Sequence, residues 1–384
     1  MADTAHKKDE DKVEHFDPED VLEEKIALVA DLILQSKHFI AFTGAGISTS
    51  CGIPDFRSGV NTVLKTGPGA WEKKAQKVKN VPNKNIVDMK SAVPSYTHMS
   101  LVAMEKRGLL KYLVSQNTDG LHVRSGFNPA KLAELHGNRC LEKCKKCKSQ
   151  FLRDFRTREA QKVHDHATSR KCEKCGGTLY DSIINFGENL PEYEIDRAFQ
   201  EGEMADVCIA MGSSLTVTPA SDVPKIVGKN GKLIIVNLQK TPLDKYAYVR
   251  VNAMCDDFMK KLTKKLELKV EEFTLSRLIE FKLNKEMDVM FRGVDRRGVP
   301  HSFFKDVSIA YDKEKDYKKL KGEPYKASMQ KKDVMKLKFG FYGWLKEPEY
   351  VLELDKERQG ILKMVYDPKV GKWEKAEWIE DFKF

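Results

Sequence analysis

The sequence predicts an α/β protein. We expect a Rossmann-like parallel sheet with helices on both faces, a small structural zinc module and a β-rich C-terminal appendage. Three observations support this fold class. Short apolar strands alternate with helical segments over about the first 268 residues. Four of the eight cysteines form two C-x-x-C pairs. The last stretch, of about 115 residues, changes to strand-like runs with Gly and Pro between them.

The composition is typical of a globular protein with two or three domains. The chain has 384 residues, of which 41% are hydrophobic and 32% charged, and this excludes global disorder and collagen-like repeats. No uncharged apolar run approaches the roughly 18 to 20 residues that span a bilayer, and the N-terminus lacks the apolar core of a signal peptide. We therefore expect a soluble intracellular protein with no membrane partner.

Charge is distributed unevenly along the chain. Residues 1–24 carry three Lys against ten Asp or Glu, a net charge of −7. Because the whole chain has a net charge of +10, residues 25–384 carry +17. Residues 1–20 are expected to form an acidic mobile arm. The basic remainder allows two interpretations, a surface that contacts chromatin or nucleic acid, or lysines scattered over solvated faces.

The chain then alternates between helix and strand. Residues 21–36 place apolar side chains at helical spacing and predict the first helix. Residues 37–43 form a short apolar run that ends on Gly44-Ala45-Gly46, which predicts a buried strand entering a tight turn.

Three more strands are predicted at 111–115, 206–211 and 232–236, each followed by polar residues or glycine. Helical stretches at 97–107 and 192–203 separate some of them. This alternation favours a parallel sheet, and ligands of such sheets bind beyond the carboxyl ends of the strands.

The cysteine pairs Cys144/Cys147 and Cys172/Cys175 are separated by 24 residues. Four thiolates match the tetrahedral coordination of Zn²⁺ and leave no open position for a water, so one structural zinc is predicted. A nucleic-acid zinc ribbon is the alternative interpretation. Three nearby side chains are possible further ligands but are not expected to bind the metal, since a histidine in a charged loop is usually solvated: Cys140, His164 and His166.

The glycine turn after the first strand is by itself a weak signal. Glycines allow the backbone to approach a pyrophosphate, but a G-x-G after a strand is often only a tight turn. The third glycine and the later ribose-binding acid of the ordinary dehydrogenase pattern are absent from the sequence, which argues against a hydride-transferring enzyme.

Read in order, several motifs resemble the sirtuins, the NAD-dependent protein deacylases, over about residues 30–265. They are GAGISTSCGIPDFRSG, VSQNTDGLHVRSG, ELHGN, the paired C-x-x-C, GSSL and VNLQ. The GPGAW segment and the run AVPSYTHMSLVAMEKRGLLKYLVS resemble the nuclear class IV branch, which contains human sirtuins six and seven. The chain departs from that branch by an insertion at Val60 to Thr66.

The resemblance implies roles for individual residues. His136 would be the base that deprotonates a ribose hydroxyl, and Asn117 and Asp119 would hold the nicotinamide end of NAD. The implied cofactor-binding residues lie in four segments of the chain: Gly44, Ala45, Gly46, Thr49, Asp55, Phe56, Arg57 and Trp71, then Gln116, then Gly212, Ser213 and Ser214, and last Asn237, Leu238, Gln239 and Cys255.

The resemblance implies an NAD-consuming lysine deacylase that releases nicotinamide and O-acyl-ADP-ribose. Its expected partner is an acyl-lysine protein, such as a histone, and its expected location is the nucleus. Two alternatives stay open: transfer of ADP-ribose to protein, and a non-catalytic chromatin scaffold. The acyl chain, the target protein and the oligomeric state are not indicated by the sequence.

The expected domains are the acidic arm at 1–20, a catalytic domain at 21–268 with the zinc module inserted at about 140–180, and a β-rich extension at 269–384. Because every NAD motif lies before the extension, a chain that ends near residue 268 is expected to keep nicotinamide release.

Overall fold

A computed structural model describes residues 9–77, 83–286, 288–312, 314–329, 334–355, 358–379 and 382. Seven α-helices lie in this part of the chain: α1 Glu19–Gln35, α2 Ala70–Ala75, α3 Tyr96–Lys106, α4 Leu121–Arg124, α5 Glu192–Met204, α6 Asp222–Asn230 and α7 Cys255–Lys265. None of these helices is long and apolar enough to cross a membrane.

Ten strands precede residue 252 in the described chain. They are β1 Phe39–Thr43, β2 Leu110–Ser115, β3 Leu132–Glu134, β4 Leu141–Cys144, β5 Gln150–Arg153, β6 Ala167–Lys171, β7 Thr178–Asp181, β8 Val207–Met211, β9 Lys232–Val236 and β10 Ala247–Val251.

The later strands are β11 Leu275–Leu283, β12 Asp288–Val294, β13 His301–Ser302, β14 Phe304–Tyr311, β15 Lys318–Lys319, β16 Tyr325–Ser328, β17 Val334–Phe341, β18 Tyr350–Asp355, β19 Gly360–Asp367 and β20 Lys372–Ile379.

The chain divides into two compact units. The first, the Rossmann-like unit, comprises Met1–Asn138 and Ile183–Phe273, and the second, the β unit, comprises Arg139–Ser182 and Thr274–Phe384. The cysteine module is thus grouped with the C-terminal strands, whereas the sequence predicts it as an insertion in the domain at 21–268.

The Rossmann-like unit is built on a six-stranded sheet in the order β10-β9-β8-β1-β2-β3. All five neighbouring pairs are parallel. Along β1, Phe39 and Ala41 pack in a core that includes side chains of α1, α3 and α7. The alternate residues Ile40 and Phe42 pack in a second core with side chains of α5 and α6. This confirms the predicted parallel sheet with helices on both faces.

The four strands predicted in this unit and its three predicted helices are present, with ends that differ by one or two residues. Two strands were not predicted. The first, β3, has only three residues, and the second, β10, is partly exposed along its length.

The described part of the acidic arm makes specific contacts. The backbone N–H of His15 donates to the carbonyl of Leu238 at 3.0 Å, and that of Asp17 donates to Asn252 at 2.9 Å. Lys25 Nζ donates to the Asp17 carboxylate at 2.7 Å. Residues 1–8 of the predicted mobile arm lie outside the described residues.

The β unit contains three sheets, in the orders β13-β5-β4-β7-β6, β16-β12-β11-β19-β20 and β15-β14-β17-β18. The predicted β-rich character of the C-terminal appendage is confirmed, and within it β17 and β18 form an antiparallel pair. The short strand β13 pairs in parallel with β5, so a strand from the C-terminal region completes the sheet of the cysteine module.

A buried charge cluster also joins the two parts of the β unit. Arg277, which is 3% exposed, donates to both oxygens of Asp154 at 3.2 and 2.7 Å and to Glu347 at 3.0 Å. Burial raises the pKa of Asp154, but Arg277 and His301 outweigh burial and hold that pKa well below its usual range. Trp344 Nε1 donates to the Asp154 carbonyl at 2.6 Å.

Replacing Arg277 with alanine leaves two buried carboxylates without their cation. We expect the β unit to lose about 3 to 5 kcal/mol of unfolding free energy, the cost of breaking a buried ion pair. Urea unfolding measures this. Lys363→Ala is the control, because its 3.8 Å pair with Glu377 is about one-third exposed on both sides and is expected to cost at most about 1 kcal/mol. Equal effects of the two variants would contradict the assigned role of Arg277.

Candidate active site

A cavity of about 400 Å³ lies in the Rossmann-like unit at the carboxyl ends of the parallel strands. This size is in the range of small-molecule sites. Every residue that the sequence analysis proposed for catalysis or cofactor binding lines it: His136, Asn117, Asp119, Gly44, Ala45, Gly46, Thr49, Asp55, Phe56, Arg57, Trp71, Gln116, Gly212, Ser213, Ser214, Asn237, Leu238, Gln239 and Cys255. The structure thus brings these residues together, and their individual roles stay predictions.

Glycines allow two strand ends to meet at the base of the cavity. A Cβ added to Gly44 or to Gly46 would lie 2.7 Å from atoms of the Gly212–Ser213 backbone. Gly212 itself has φ of +59°, the left-handed region that favours glycine. The Gly46 N–H donates to the Gly212 carbonyl at 2.8 Å. Any side chain at these positions would separate the β1 and β8 ends.

Polar groups that follow β1 and β2 form a buried network. The Ser48 hydroxyl donates to Asp119 Oδ2 at 2.8 Å, and Asn117 Nδ2 donates to the Gly44 carbonyl at 3.1 Å. Asp119 Oδ1 accepts the backbone N–H of Leu121 at 2.9 Å. Both Asp119 oxygens therefore have donors inside the protein, which fixes the orientation of the carboxylate. Ser48 was not proposed from the sequence.

His136 follows β3 and lies half-buried at the cavity wall. Its Nδ1 is 3.0 Å from the Gln116 carbonyl. Because a carbonyl only accepts, Nδ1 carries the proton and Nε2 carries the lone pair. Burial lowers the pKa of His136, although the bond to Gln116 opposes this shift. The imidazole is therefore neutral at pH 7 and able to accept a proton.

An aromatic and cationic group forms another wall. The Arg57 guanidinium lies 4.5 Å from the centre of the Trp71 ring and donates to the Ser214 hydroxyl at 2.8 Å. Trp71 also contacts Phe56 and Phe186, with ring centres 4.8 and 5.5 Å away. A guanidinium beside a hydroxyl is a donor set suited to a pyrophosphate.

The residues that follow β9 form a further part of the cavity wall. Asn237 Nδ2 donates to the Gln239 carbonyl at 2.9 Å, and Arg250, which the sequence analysis did not select, donates to the carbonyls of both residues. The amide of Gln116 donates to the Ser213 hydroxyl at 2.8 Å. Amides and hydroxyls of this kind match the hydroxyls and ring nitrogens of a nucleoside.

The remaining proposed residues are held by local bonds. The Thr49 hydroxyl donates to the Gly46 carbonyl at 2.9 Å, and Asp55 Oδ1 accepts the Ser58 N–H at 3.1 Å. Burial raises the pKa of the Cys255 thiol to about 12, so this residue is protonated at neutral pH and is not a nucleophile.

The cavity also includes a segment that the sequence analysis missed. Residues 183–188 and Leu190 line it, and the Ile184 N–H donates to the His136 carbonyl at 3.1 Å. Glu14, from the acidic arm, is a further lining residue. Neither carries a motif, so only the folded chain shows their position.

In the β unit, the sulfur atoms of Cys144, Cys147, Cys172 and Cys175 all lie within 4.8 Å of one another. Tetrahedral zinc with bonds of about 2.3 Å requires sulfurs about 3.8 Å apart, so the cluster is compatible with a structural zinc. Within the described part of the chain it is the only such group of three or more metal-ligating side chains, and it does not include Cys140, His164 or His166.

Comparison with known proteins identifies the family. The Sir2 family pattern matches residues 44–219. The chain is 42% identical to the NAD-dependent protein deacetylase SRT1 of Arabidopsis thaliana over 71% of this chain, but it spans only 56% of that relative. It is 36% identical to NAD-dependent protein deacetylase SRT1 of Oryza sativa subsp. indica, in a match that covers 85% of this chain and 68% of that relative. It is 37% identical to NAD-dependent protein deacetylase Sirt6 of Drosophila melanogaster, in a match that covers 68% of this chain and 81% of that relative.

A solved structure described as Sir2 bound to acetylated peptide is 29% identical, with a TM-score of 0.46, and covers 62% of this chain and 98% of its own. The relatives' identity and coverage, together with the cavity lined by the motif residues, lead to one conclusion: the chain belongs to the Sir2 family.

Proposed function

We propose that this chain is an NAD-dependent protein lysine deacylase that acts on histones or other nuclear proteins. The Sir2 membership and the deacetylase names of the curated relatives support the reaction class. The relatives named Sirt6 and sirtuin-7 agree with the class IV resemblance, and that resemblance implies the nuclear location and the histone substrate. The net charge of +10 favours contact with chromatin or nucleic acid.

One observation carries the proposal: a neutral imidazole with a fixed tautomer lies in the same cavity as the Asn117–Asp119 network and the Arg57 wall. NAD supplies an activated ribose carbon when its nicotinamide leaves. Asn117 and Asp119 would orient the nicotinamide end, and Arg57 would hold the phosphates. The lone pair on His136 Nε2 would take the proton of a ribose hydroxyl.

The pKa of His136 predicts the pH dependence of the reaction. A base works in its deprotonated form, and burial lowers this pKa below the ordinary value of 6.5. We therefore expect kcat/KM for the peptide to rise with pH through a pKa below 6.5 and to be level at pH 7 to 8. Initial rates from pH 5 to 8 measure this profile. A rise in kcat/KM centred above pH 7 would contradict the assignment of His136 as a base that is neutral at pH 7.

The segment after Arg57 predicts a preference among acyl groups. The sirtuin resemblance implies a Tyr-x-x-Arg pair there in desuccinylating members of the family, whereas this chain has Ala70-Trp71-Glu72-Lys73. Alanine replaces the tyrosine of the pair, and Lys73, which replaces the arginine, does not line the cavity, so an acidic acyl group would lack both partners of the pair. We expect acetyl or long-chain acyl peptides to be better substrates than a succinyl peptide of the same sequence, as measured by competition in one reaction.

The test of the proposed function is nicotinamide release from NAD in the presence of an acetylated or a long-chain acylated histone peptide, with the unacylated peptide as control. We expect release that depends on acylation. Release at the same rate with the unacylated peptide would reject deacylation. The deacetylase names of the relatives favour deacylation over ADP-ribosyl transfer and over a scaffold role.

A further inference from the structure

The described part of the acidic arm is attached to the sheet side of the cavity. His15 donates to the Leu238 carbonyl at 3.0 Å, just beyond β9. Just beyond β10, Asn252 donates to the two Asp17 oxygens, from its backbone N–H at 2.9 Å and from its side chain at 3.0 Å. This end of the arm is therefore fixed to the ends of two neighbouring strands.

A second set of contacts joins the arm to the cofactor loop, which we define as residues 55–71. The two oxygens of Glu14 accept separate bonds, one from the Thr62 hydroxyl at 2.6 Å and one from the Val63 backbone N–H at 2.9 Å. Lys12 Nζ lies 3.6 Å from the buried carboxylate of Glu72, the residue that follows the loop. The arm thus connects the loop to the sheet.

The loop segment that Glu14 binds is the insertion at 60–66. Its own backbone bonds are few: Thr62 donates to Gly59 at 3.2 Å, and Gly67 donates to Leu64 at 2.9 Å. A carboxylate that accepts two donors makes stronger bonds than neutral groups do. The side-chain amides of Asn83 and Asn85 also hold the insertion, since they donate to the Lys65 carbonyl at 3.0 and 3.1 Å. Glu14 is the attachment of its first half, at Thr62 and Val63.

We propose that Glu14 is a positioning residue for the dinucleotide, an inference that rests on the proposed function. By holding Thr62 and Val63, it keeps the cofactor loop in the form in which Phe56, Arg57 and Trp71 line the cavity. Glu14 itself lines that cavity. Its charge would repel a pyrophosphate and both of its oxygens already have donors, so it acts through the loop and not as a ligand.

Glu14→Ala tests the proposal. In the NAD-free protein we expect hydrogen exchange over residues 60–66 to become faster. We expect the Kd for NAD by calorimetry and the KM for NAD to rise roughly tenfold, while kcat stays within about twofold. Glu14→Gln keeps one carbonyl acceptor and should give an intermediate effect. Glu10→Gln removes the charge of an exposed side chain on the same arm and should match wild type.

Thr62→Val removes one of the two donors. Because it acts on the same contact, its effect on Kd should not add to that of Glu14→Ala. Unchanged exchange at 60–66, or faster exchange with an unchanged Kd, would overturn the proposal, as would a fall in kcat alone. Exchange and Kd need no turnover, so a wild-type protein that binds NAD but releases no nicotinamide would reject the proposed function and not this inference.

Discussion

Replacing His136 with alanine is expected to lower the rate of deacylation by roughly 10² to 10⁴, the contribution typical of a general base. The same result is expected for tyrosine, which cannot accept a proton at neutral pH. The lost bond from Nδ1 to the Gln116 carbonyl should cost only about 1 to 3 kcal/mol of stability, so the variant should fold. Single-turnover rates measure the first effect, and thermal unfolding measures the second.

His164→Asn is the matched control for this variant. His164 is exposed, does not line the cavity, and has φ of +68°, a conformation that Asn tolerates. The rate of deacylation by His164→Asn should equal that of wild type. Wild-type turnover by His136→Ala with NAD and an acyl-lysine peptide would show that the assigned base is wrong.

The second large effect is expected from the cysteine cluster. Cys172→Ser removes one of four ligands from a site whose zinc-binding free energy is on the order of 10 to 16 kcal/mol, and this free energy supports folding. Because the cluster lies in the same compact unit as the C-terminal strands, we expect faster hydrogen exchange both at 139–182 and in the described strands after 274.

Elemental analysis should find one zinc per chain in wild type and none in Cys172→Ser. Cys140→Ser is the control, because Cys140 lies outside the cluster, and it should retain the metal. A stable protein with unchanged exchange after zinc removal would contradict a structural site.

The Rossmann-like unit could be predicted from the sequence because its four predicted strands are short, mostly apolar runs that are buried along nearly their whole length. Phe39–Thr43 and Val207–Met211 are buried at every position, and such runs end at glycine or polar residues. The cavity followed from the same reasoning, since the carboxyl ends of parallel strands meet at one edge. β10 was missed because it is only partly buried and carries Arg250.

The grouping of the β unit could not be predicted from the sequence. Arg277 resembles a surface charge in the sequence, and its partner Asp154 is more than a hundred residues away along the chain. The expectation that a chain ending near 268 keeps nicotinamide release considered only the NAD motifs. In the structure such a truncation removes β13, Arg277 and Trp344 from the cysteine module, so we expect that module to be destabilised.

The contacts of Glu14 could not be predicted from the sequence either. A run of acidic residues at a terminus predicts a solvated arm, because its composition offers little to bury. The bonds to Thr62 and Val63 depend on the path of an insertion that no motif describes. Polar contacts between a terminus and a loop depend on the folded backbone of both.

The most direct test of the central claim is the product balance of one reaction. The protein is incubated with NAD and an acetyl-lysine histone peptide, and nicotinamide, deacetylated peptide and acetyl-ADP-ribose are quantified by mass spectrometry. The account predicts equal amounts of the three products and, beyond one equivalent per enzyme, their joint loss in His136→Ala. Nicotinamide released without deacetylated peptide, with ADP-ribose attached to protein, would contradict it.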